Sequence, residues 1–326
     1  FLLWDQIQHN TFLGDPLYLA FVDLTAAYDS VDRTKLWQVL LALGLPGPLV
    51  RCLQGLYQAN TGILDLGPQG TLTIPVRRGL FQGCPLSPLL FNLLLHDLDS
   101  HLDGEPADVL DPCHRLEGCP LGSADDLVLL SSSPSRLSSL LSALDGFVRD
   151  KGLTISLDKT QLMMAGPSFG PPPPVSLHGT LLPWVDSFRY LGMLFTRSGD
   201  LTAMGRDRQV KAKSCLMGIF SLLHRLDLRS SHEAFHLLLS TMVLPTLLHG
   251  SELWGAALLS PSSPHWLDSF VARAWKSFYH LPLSTPSLPL LHELHIRWPA
   301  LTWLSQSLKF FNRVAALDPS HPIHTL

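Results

Sequence analysis

Two adjacent aspartates, Asp125 and Asp126, stand in "GSADDLVLL" directly before an apolar run, and a third, Asp23, ends another such run in "LYLAFVD". Neighbouring carboxylates repel each other and lose solvation at the mouth of a buried strand, so something must offset them, most simply a bound cation. Taken alone, "ADD" reads equally well as an acidic turn, since Asp favours turns. If the two runs are adjacent strands, however, three carboxylates converge. That is enough to hold two hard cations, with waters and phosphate oxygens completing their shells. Such a metal pair activates an attacking hydroxyl and stabilises a leaving pyrophosphate, which is the chemistry of nucleotidyl transfer.

The elements that must position these residues are legible from periodicity. "LYLAFVDLTAAYDSVDRTKLWQVLLALG" begins as a strand and turns into a helix. Leu36, Val39, Leu40 and Leu43 recur at helical spacing, Asp32 caps the start and Gly44 ends it. Pro48 suits a first helical turn, with Leu49, Val50, Leu53, Leu56 and Tyr57 as an apolar face. "GILDLGPQGTLTIPV" reads as a hairpin about residues 67–70. A glycine-punctuated loop then feeds a helix capped by Ser87 and started by Pro88. Residues 127–130 read as a strand, and Pro134 starts a helix facing inward through Leu137, Leu140, Leu141, Leu144, Phe147 and Val148. Short strands are expected over residues 153–156, 162–165 and 188–195. "GPSFGPPPP" is a stiff loop between strands. Beyond residue 200 helical patterns dominate, so the expected class is α+β followed by an all-helical part.

Composition narrows the rest. The 326 residues are 46% hydrophobic and 15% charged, which excludes a disordered chain. No apolar run reaches the length of a membrane span, and the N-terminus lacks a signal peptide's basic flank and cleavage site, so no membrane partner is expected. The 5 cysteines are odd in number and scattered, which favours a reducing compartment, nucleus or cytoplasm, over a disulfide scaffold. Residues 1–200 carry 12 Lys+Arg against 20 Asp+Glu, and residues 201–326 carry 11 against 7. The basic second part suits a polyanion. On a helix, Arg206 with Lys213 and Arg208 with Lys211 would form two basic patches that hold nucleic-acid phosphates.

Five segments in order, "FVDLTAAYDSVDR", "RRGLFQGCPLSPLLFN", "ADDLVLL", "GLTISLDKTQLMM" and "FRYLGMLF", resemble the reverse transcriptases, and among them the enzymes of non-LTR (LINE-type) retrotransposons. Farther on, "VLPTLLHGSELW" is similar to a segment of the LINE-type thumb. The resemblance implies a right-hand polymerase: a palm with a small antiparallel sheet packed on helices over residues 1–200, then a helical thumb over 201–326. Its implied partners are an RNA template, a DNA primer and dNTP, and its implied cofactor is Mg²⁺ or Mn²⁺. It makes Asp23, Asp125 and Asp126 the metal-binding carboxylates. Tyr28 falls at the steric gate against a 2′-hydroxyl, or is a core tyrosine. Gln82, Gly83, Ser87 and Pro88 match the segment that contacts nucleotide and template. Lys159 matches a lysine proposed to protonate pyrophosphate, or is a solvated strand-end lysine. Phe188, Tyr190, Leu191 and Gly192 resemble the primer grip, or form a plain edge strand.

The sequence departs from the family pattern at Ser123, where an aromatic residue usually precedes "ADD". Only 22 residues precede Asp23, so the fingers are expected to be largely missing, together with an endonuclease domain of a longer polyprotein. Cys113, His114 and Cys119 have the wrong spacing for a zinc knuckle. Two rival readings stand beside the polymerase. One is an inactive retroelement remnant that still binds nucleic acid. The other is a zinc peptidase built on "HEAFH", with His232, Glu233 and His236 on a helix and Glu252 as a loose third ligand. Asp23→Asn and Asp125→Asn should each abolish Mg²⁺-dependent DNA synthesis, because nothing nearby replaces a lost metal ligand. Primer extension by either variant at an appreciable rate would remove the assignment.

Overall fold

A computed structural model of the chain describes residues 1–58, 60–102, 121–123, 126–166, 170–259, 265–296 and 299–317. Asp125, Cys113, His114 and Cys119 therefore lie outside the described residues. The chain divides into one unit, Gln6–Leu191, and a second made of Phe1–Asp5 with Gly192–Leu326. The division falls inside "FRYLG", between Leu191 and Gly192.

The chain starts with α1 (Leu2–Leu13), a helix without the apolar stripe that announces one in sequence. β1 (Leu17–Asp23) is buried at every position but its last, which is why its sequence is a continuous apolar run rather than an alternation. After the single turn of α2 (Ala27–Ser30) comes α3 (Arg33–Ala42), which Asp32 caps by accepting from the Thr34 and Lys35 amides. α4 (Gly47–Tyr57) buries Val50, Leu53 and Tyr57, whereas Leu49 and Leu56, expected on the same face, are exposed.

β2 (Thr61–Asp65) and β3 (Thr71–Pro75) form the expected hairpin, a ribbon paired with no other strand among the described residues. Its register puts Leu64 opposite Leu72 and Gly62 opposite Ile74, so Leu64, Leu66, Leu72, Ile74 and Val76 share one face, and all five are exposed. Next come α5 (Leu86–Leu94) and α6 (Leu98–Leu102). α5 begins at Leu86 with Pro85 at its cap position, so Ser87 and Pro88 sit inside the first turn and not at its boundary.

The central sheet runs in the order β4 (Leu121–Ser123), β5 (Asp126–Ser131), β1, β6 (Gln161–Ala165), with every neighbour antiparallel. One face carries Tyr18, Ala20, Val22, Leu127, Leu129, Leu162 and Met164 into a single core. That core is closed by α7 (Pro134–Asp150), which Ser133 caps and whose six expected apolar positions are all buried. The strand expected over residues 153–156 is reduced to one bridge, Leu24 to Ile155, because the chain turns at once into β6. Short β7 (Ser176–Leu177) and β8 (Thr180–Leu181) pair with each other before β9 (Ser187–Tyr190) closes the unit.

In the second unit the expected strand over residues 188–195 resumes as β10 (Met193–Thr196) after an interruption. Leu191 and Gly192 have φ of 46 and 77, left-handed values that extended backbone cannot pass through. The rest is helical: α8 (Leu201–Arg225), then α9 (His232–Leu238) running through a π turn into α10 (Leu244–Leu248), α11 (Ser251–Trp254), α12 (Trp266–Phe278), α13 (Ser287–Glu293) and α14 (Pro299–Ala315). Among the described residues no single helix is long and apolar enough to cross a membrane.

Leu141 on α7 is 0% exposed and Leu49 on α4 is 48% exposed. Leu141→Ala should therefore cost about 2–5 kcal/mol of stability and Leu49→Ala about 0.5 kcal/mol or less, as measured by urea unfolding.

Candidate active site

Strand pairing alone brings two of the candidate carboxylates together. Asp23, the last residue of β1, is the register partner of Asp126, the first residue of β5. Opposed residues on antiparallel strands stand close enough for like charges to destabilise the pair. The Asp23 side chain is partly buried, and its Oδ2 is fully buried and accepts no hydrogen bond. A positive charge meets that oxygen instead: Lys159 Nζ lies 3.3 Å away, on a side chain that is 70% exposed.

The local path explains this ion pair. Past Asp23, the Ser156 amide donates to the Asp23 carbonyl (2.8 Å) and the Thr25 amide to the Thr154 carbonyl (2.8 Å). This short pairing turns residues 157–159 back beside the end of β1 and delivers Lys159. Asp125 is outside the described residues, and among those described no group of three His, Cys, Asp or Glu gathers as a metal cluster. Ser123 ends β4 opposite Asp126.

Tyr28, Gln82, Gly83, Ser87 and Pro88 come together. All five line one cleft of about 390 Å³, completed by Phe81, Cys84 and Pro85. The Tyr28 ring is stacked on Phe91 with centroids 5.2 Å apart, so Tyr28 is half in the core and half at the cleft. Ser87 is buried, and its Oγ donates to the Phe81 carbonyl (2.6 Å), so the hydroxyl shapes the loop instead of capping α5. Gln82 Nε2 donates to the Asp29 carboxylate at 3.2 Å, a partner that the sequence did not single out although it follows Tyr28 directly. The loop lies hard against α2: Gly79 has φ +82, and a Cβ there would stand 2.8 Å from the Asp29 backbone. No larger residue fits without moving that backbone.

Phe188 stacks face to face on Phe21 of β1 at 4.1 Å. Tyr190 donates its hydroxyl to the Leu121 carbonyl (2.9 Å). Burial first, and the Asp126 carboxylate second, push the Tyr190 phenol up to about 12. Tyr190 thus belongs electrostatically to the carboxylate site, a link that sequence spacing does not reveal.

The basic residues of α8 do not behave alike. Arg206 and Lys213 are exposed, and Lys211 pairs with Asp207 at 3.7 Å. Arg208 corrects the sequence expectation: it is 6% exposed and its guanidinium donates to the Gly192 carbonyl, so it is withdrawn from any phosphate patch. Its position could have been read. Met204, Arg208, Ala212 and Leu216 are spaced by four along the buried stripe of the helix. The "HEAFH" histidines are engaged in aromatic packing, with His232 stacked on Trp275 at 4.8 Å and its Nδ1 in a 2.8 Å hydrogen bond with the Tyr279 hydroxyl. No third ligand joins them among the described residues.

Residues 5–195 match the family described as reverse transcriptase (RNA-dependent DNA polymerase). The chain belongs to that family. Among its relatives is a Pol polyprotein of the type-1 retrotransposable element R2 from Popillia japonica, 26% identical over 84% of this chain and 44% of the polyprotein. The R2DM polyprotein of Drosophila melanogaster is 27% identical over 87% of this chain and 29% of its own length. A putative 115 kDa protein of the R1DM element from the same fly is 27% identical over 72% and 22%. The chain thus spans less than half the length of these relatives. A solved telomerase structure from Candida tropicalis, in complex with a telomeric RNA fragment, gives a TM-score of 0.46 at 12% identity over 99% of this chain and 50% of its own. That likeness is too distant to place any residue.

Tyr190 yields a test with a definite sign. Its phenol titrates near 10 when unfolded and near 12 when folded, so between those values the unfolded chain holds fewer protons and stability falls as pH rises. Tyr190→Phe should lose about 1 kcal/mol below pH 10 with its hydrogen bond, yet decline less steeply between pH 10 and 12. Denaturant unfolding across pH checks this, and parallel profiles through that window would contradict the burial of the phenol.

Proposed function

We propose that this chain is the polymerase core of a non-LTR retrotransposon protein, extending a DNA primer on an RNA template from dNTP. In this reading Gln6–Leu191 contains the palm, and the helices that follow contain the thumb. The observation that carries it is the register pair of Asp23 and Asp126 at the ends of β1 and β5. The cleft lined by Tyr28, Gln82 and Gly83, in the same unit as that pair, supports it.

The donor set suits a hard divalent cation. It is made of carboxylate oxygens, one of them buried without a hydrogen bond and already facing a positive charge. Asp23 and Asp126 would hold Mg²⁺ or Mn²⁺ together with Asp125, and the bound ion would supply Lewis acidity toward phosphate oxygens and acidify a hydroxyl. The chain's own groups do the rest. The Tyr28 ring, backed by Phe91, presents a flat wall that excludes a 2′-hydroxyl by shape. Lys159 is exposed enough to leave Asp23 and bring a proton on Nζ to a departing phosphate. Phe188, fixed by its stack on Phe21, and the neighbouring Tyr190 orient a primer end. Exposed Arg206 and Lys213 attract the phosphates of the duplex.

The test is extension of a DNA primer on an RNA template by the chain, with Asp23→Asn as the control. Incorporation lost in the control supports the reading. Nucleic-acid binding with no incorporation would leave a binding-only remnant. In an active preparation, Tyr28→Ala should raise rNTP relative to dNTP incorporation by about tenfold or more, as relief of a steric exclusion worth at least 1.4 kcal/mol, and an unchanged ratio would return Tyr28 to the core. Neutralising Arg206 and Lys213 together should reduce the slope of log affinity against log salt by about 2, whereas losing Lys211 should change it less.

A further inference from the structure

One side chain outside the cleft, that of Arg33, holds the loop leading into the cleft wall at several points. Arg33, the first residue of α3, donates from Nε to the Gly79 carbonyl (2.8 Å), from one terminal nitrogen to Tyr57 (3.1 Å) and Val76 (3.0 Å), and from the other to Arg78 (3.0 Å). Four carbonyls from the end of α4, the end of β3 and the loop thus converge on one planar cation. A guanidinium has five N–H donors in a fixed fork and can satisfy them; an ammonium has three donors and no such plane. The guanidinium also lies 4.9 Å above the Tyr57 ring. Tyr57 in turn stacks on Phe81 at 4.7 Å and 16°.

Phe81 lines the cleft and directly precedes Gln82 and Gly83; Arg33 does not line it. The anchor itself is firm. Asp32 caps the helix that carries Arg33, and Leu36 and Leu40 bury that helix at 0% exposure. From this fixed point the restraint passes through Tyr57 to Phe81, and through Gly79 to Leu80, whose amide bonds the Tyr28 carbonyl at 2.8 Å.

We propose that Arg33 is a positioning residue that sets where the wall formed by Phe81, Gln82 and Gly83 stands, and through it the cleft's grip on a nucleotide. This rests on the nucleotide reading of the cleft given above. A loose wall must be ordered each time a ligand binds, which weakens binding without altering the groups that react. The expected kinetic signature is a raised KM with kcat preserved.

The test uses Arg33→Lys and Arg33→Ala in the full chain. Trypsin cuts after Arg77 and Arg78, both exposed on the clamped loop, and after Arg136 in the first turn of α7, where cutting requires the neighbouring Leu137, 0% exposed, to leave the core. Both variants should raise cleavage at 77 and 78 relative to 136 by about tenfold, a local opening of about 1.4 kcal/mol. In primer extension, KM for dNTP should rise about tenfold with kcat within about twofold, and added guanidinium ion should restore much of the KM of Arg33→Ala. Equal acceleration at all three sites would make Arg33 a general stabiliser and overturn the proposal. So would faster loop cleavage with an unchanged KM. If the unsubstituted chain incorporates no nucleotide, the reading of the cleft falls and takes the nucleotide part of the proposal with it, while the trypsin ratio still judges the clamp.

Discussion

Like charges set against each other at the end of an antiparallel pair are the constraint around which the Gln6–Leu191 unit is organised. The register that opposes Asp23 and Asp126 is held by shape, since both faces of β1 are buried and a slip of one residue would exchange Tyr18, Ala20 and Val22 for Leu17, Leu19 and Phe21 in closely packed surroundings. The buried apolar length of β1 and β5 thus fixes the carboxylates in place and makes their repulsion a lasting feature of the fold. Lys159 relieves part of it. The Tyr190 phenol feels the rest, since the charge on Asp126 helps to keep its proton on.

What was legible in the sequence was what local pattern determines. Asp32 and Ser133 cap helices where their residue types indicated, and α7 buries each apolar position that its spacing marked. Pairing partners were less visible. Residues 153–156 have strand-like composition, yet their pairing with the end of β1 stops at one bridge and the two hydrogen bonds that flank it, because the next residues must turn to bring β6 alongside β1. Ser87 has a capping residue's chemistry, but its hydroxyl is taken by the Phe81 carbonyl, an interaction that depends on how the loop folds back. The type of Arg208 suggests a phosphate contact, whereas its spacing from Met204, Ala212 and Leu216 puts it on the buried stripe of α8.

Of the candidate site, the gathering of Tyr28, Gln82, Gly83, Ser87 and Pro88 into one cleft was implied by family resemblance and not by composition, since the segments that carry them lie about fifty residues apart. The family match over residues 5–195 takes in this cleft and both described carboxylates. What the resemblance did not indicate was the support: Asp29 beneath Gln82, the close approach at Gly79, and Phe21 behind Phe188. Such residues are chosen by shape and backbone path, and residue type alone carries little trace of them.

The ribbon of β2 and β3 has a colloidal consequence. Five aliphatic side chains share one of its faces, each 40–50% accessible, Ile63 stands exposed on the other, and its two outer edges offer backbone amides and carbonyls that no described strand takes up. Greasy faces with open edges attract their own kind, and ordinary protein surfaces blunt them with lysine, proline or a covering loop. Only Pro75, at the end of β3, does so within these two strands. A net charge of −4 spread over 326 residues repels neighbouring molecules weakly. Association of two copies through this ribbon would therefore meet little opposition from the overall balance of acids and bases.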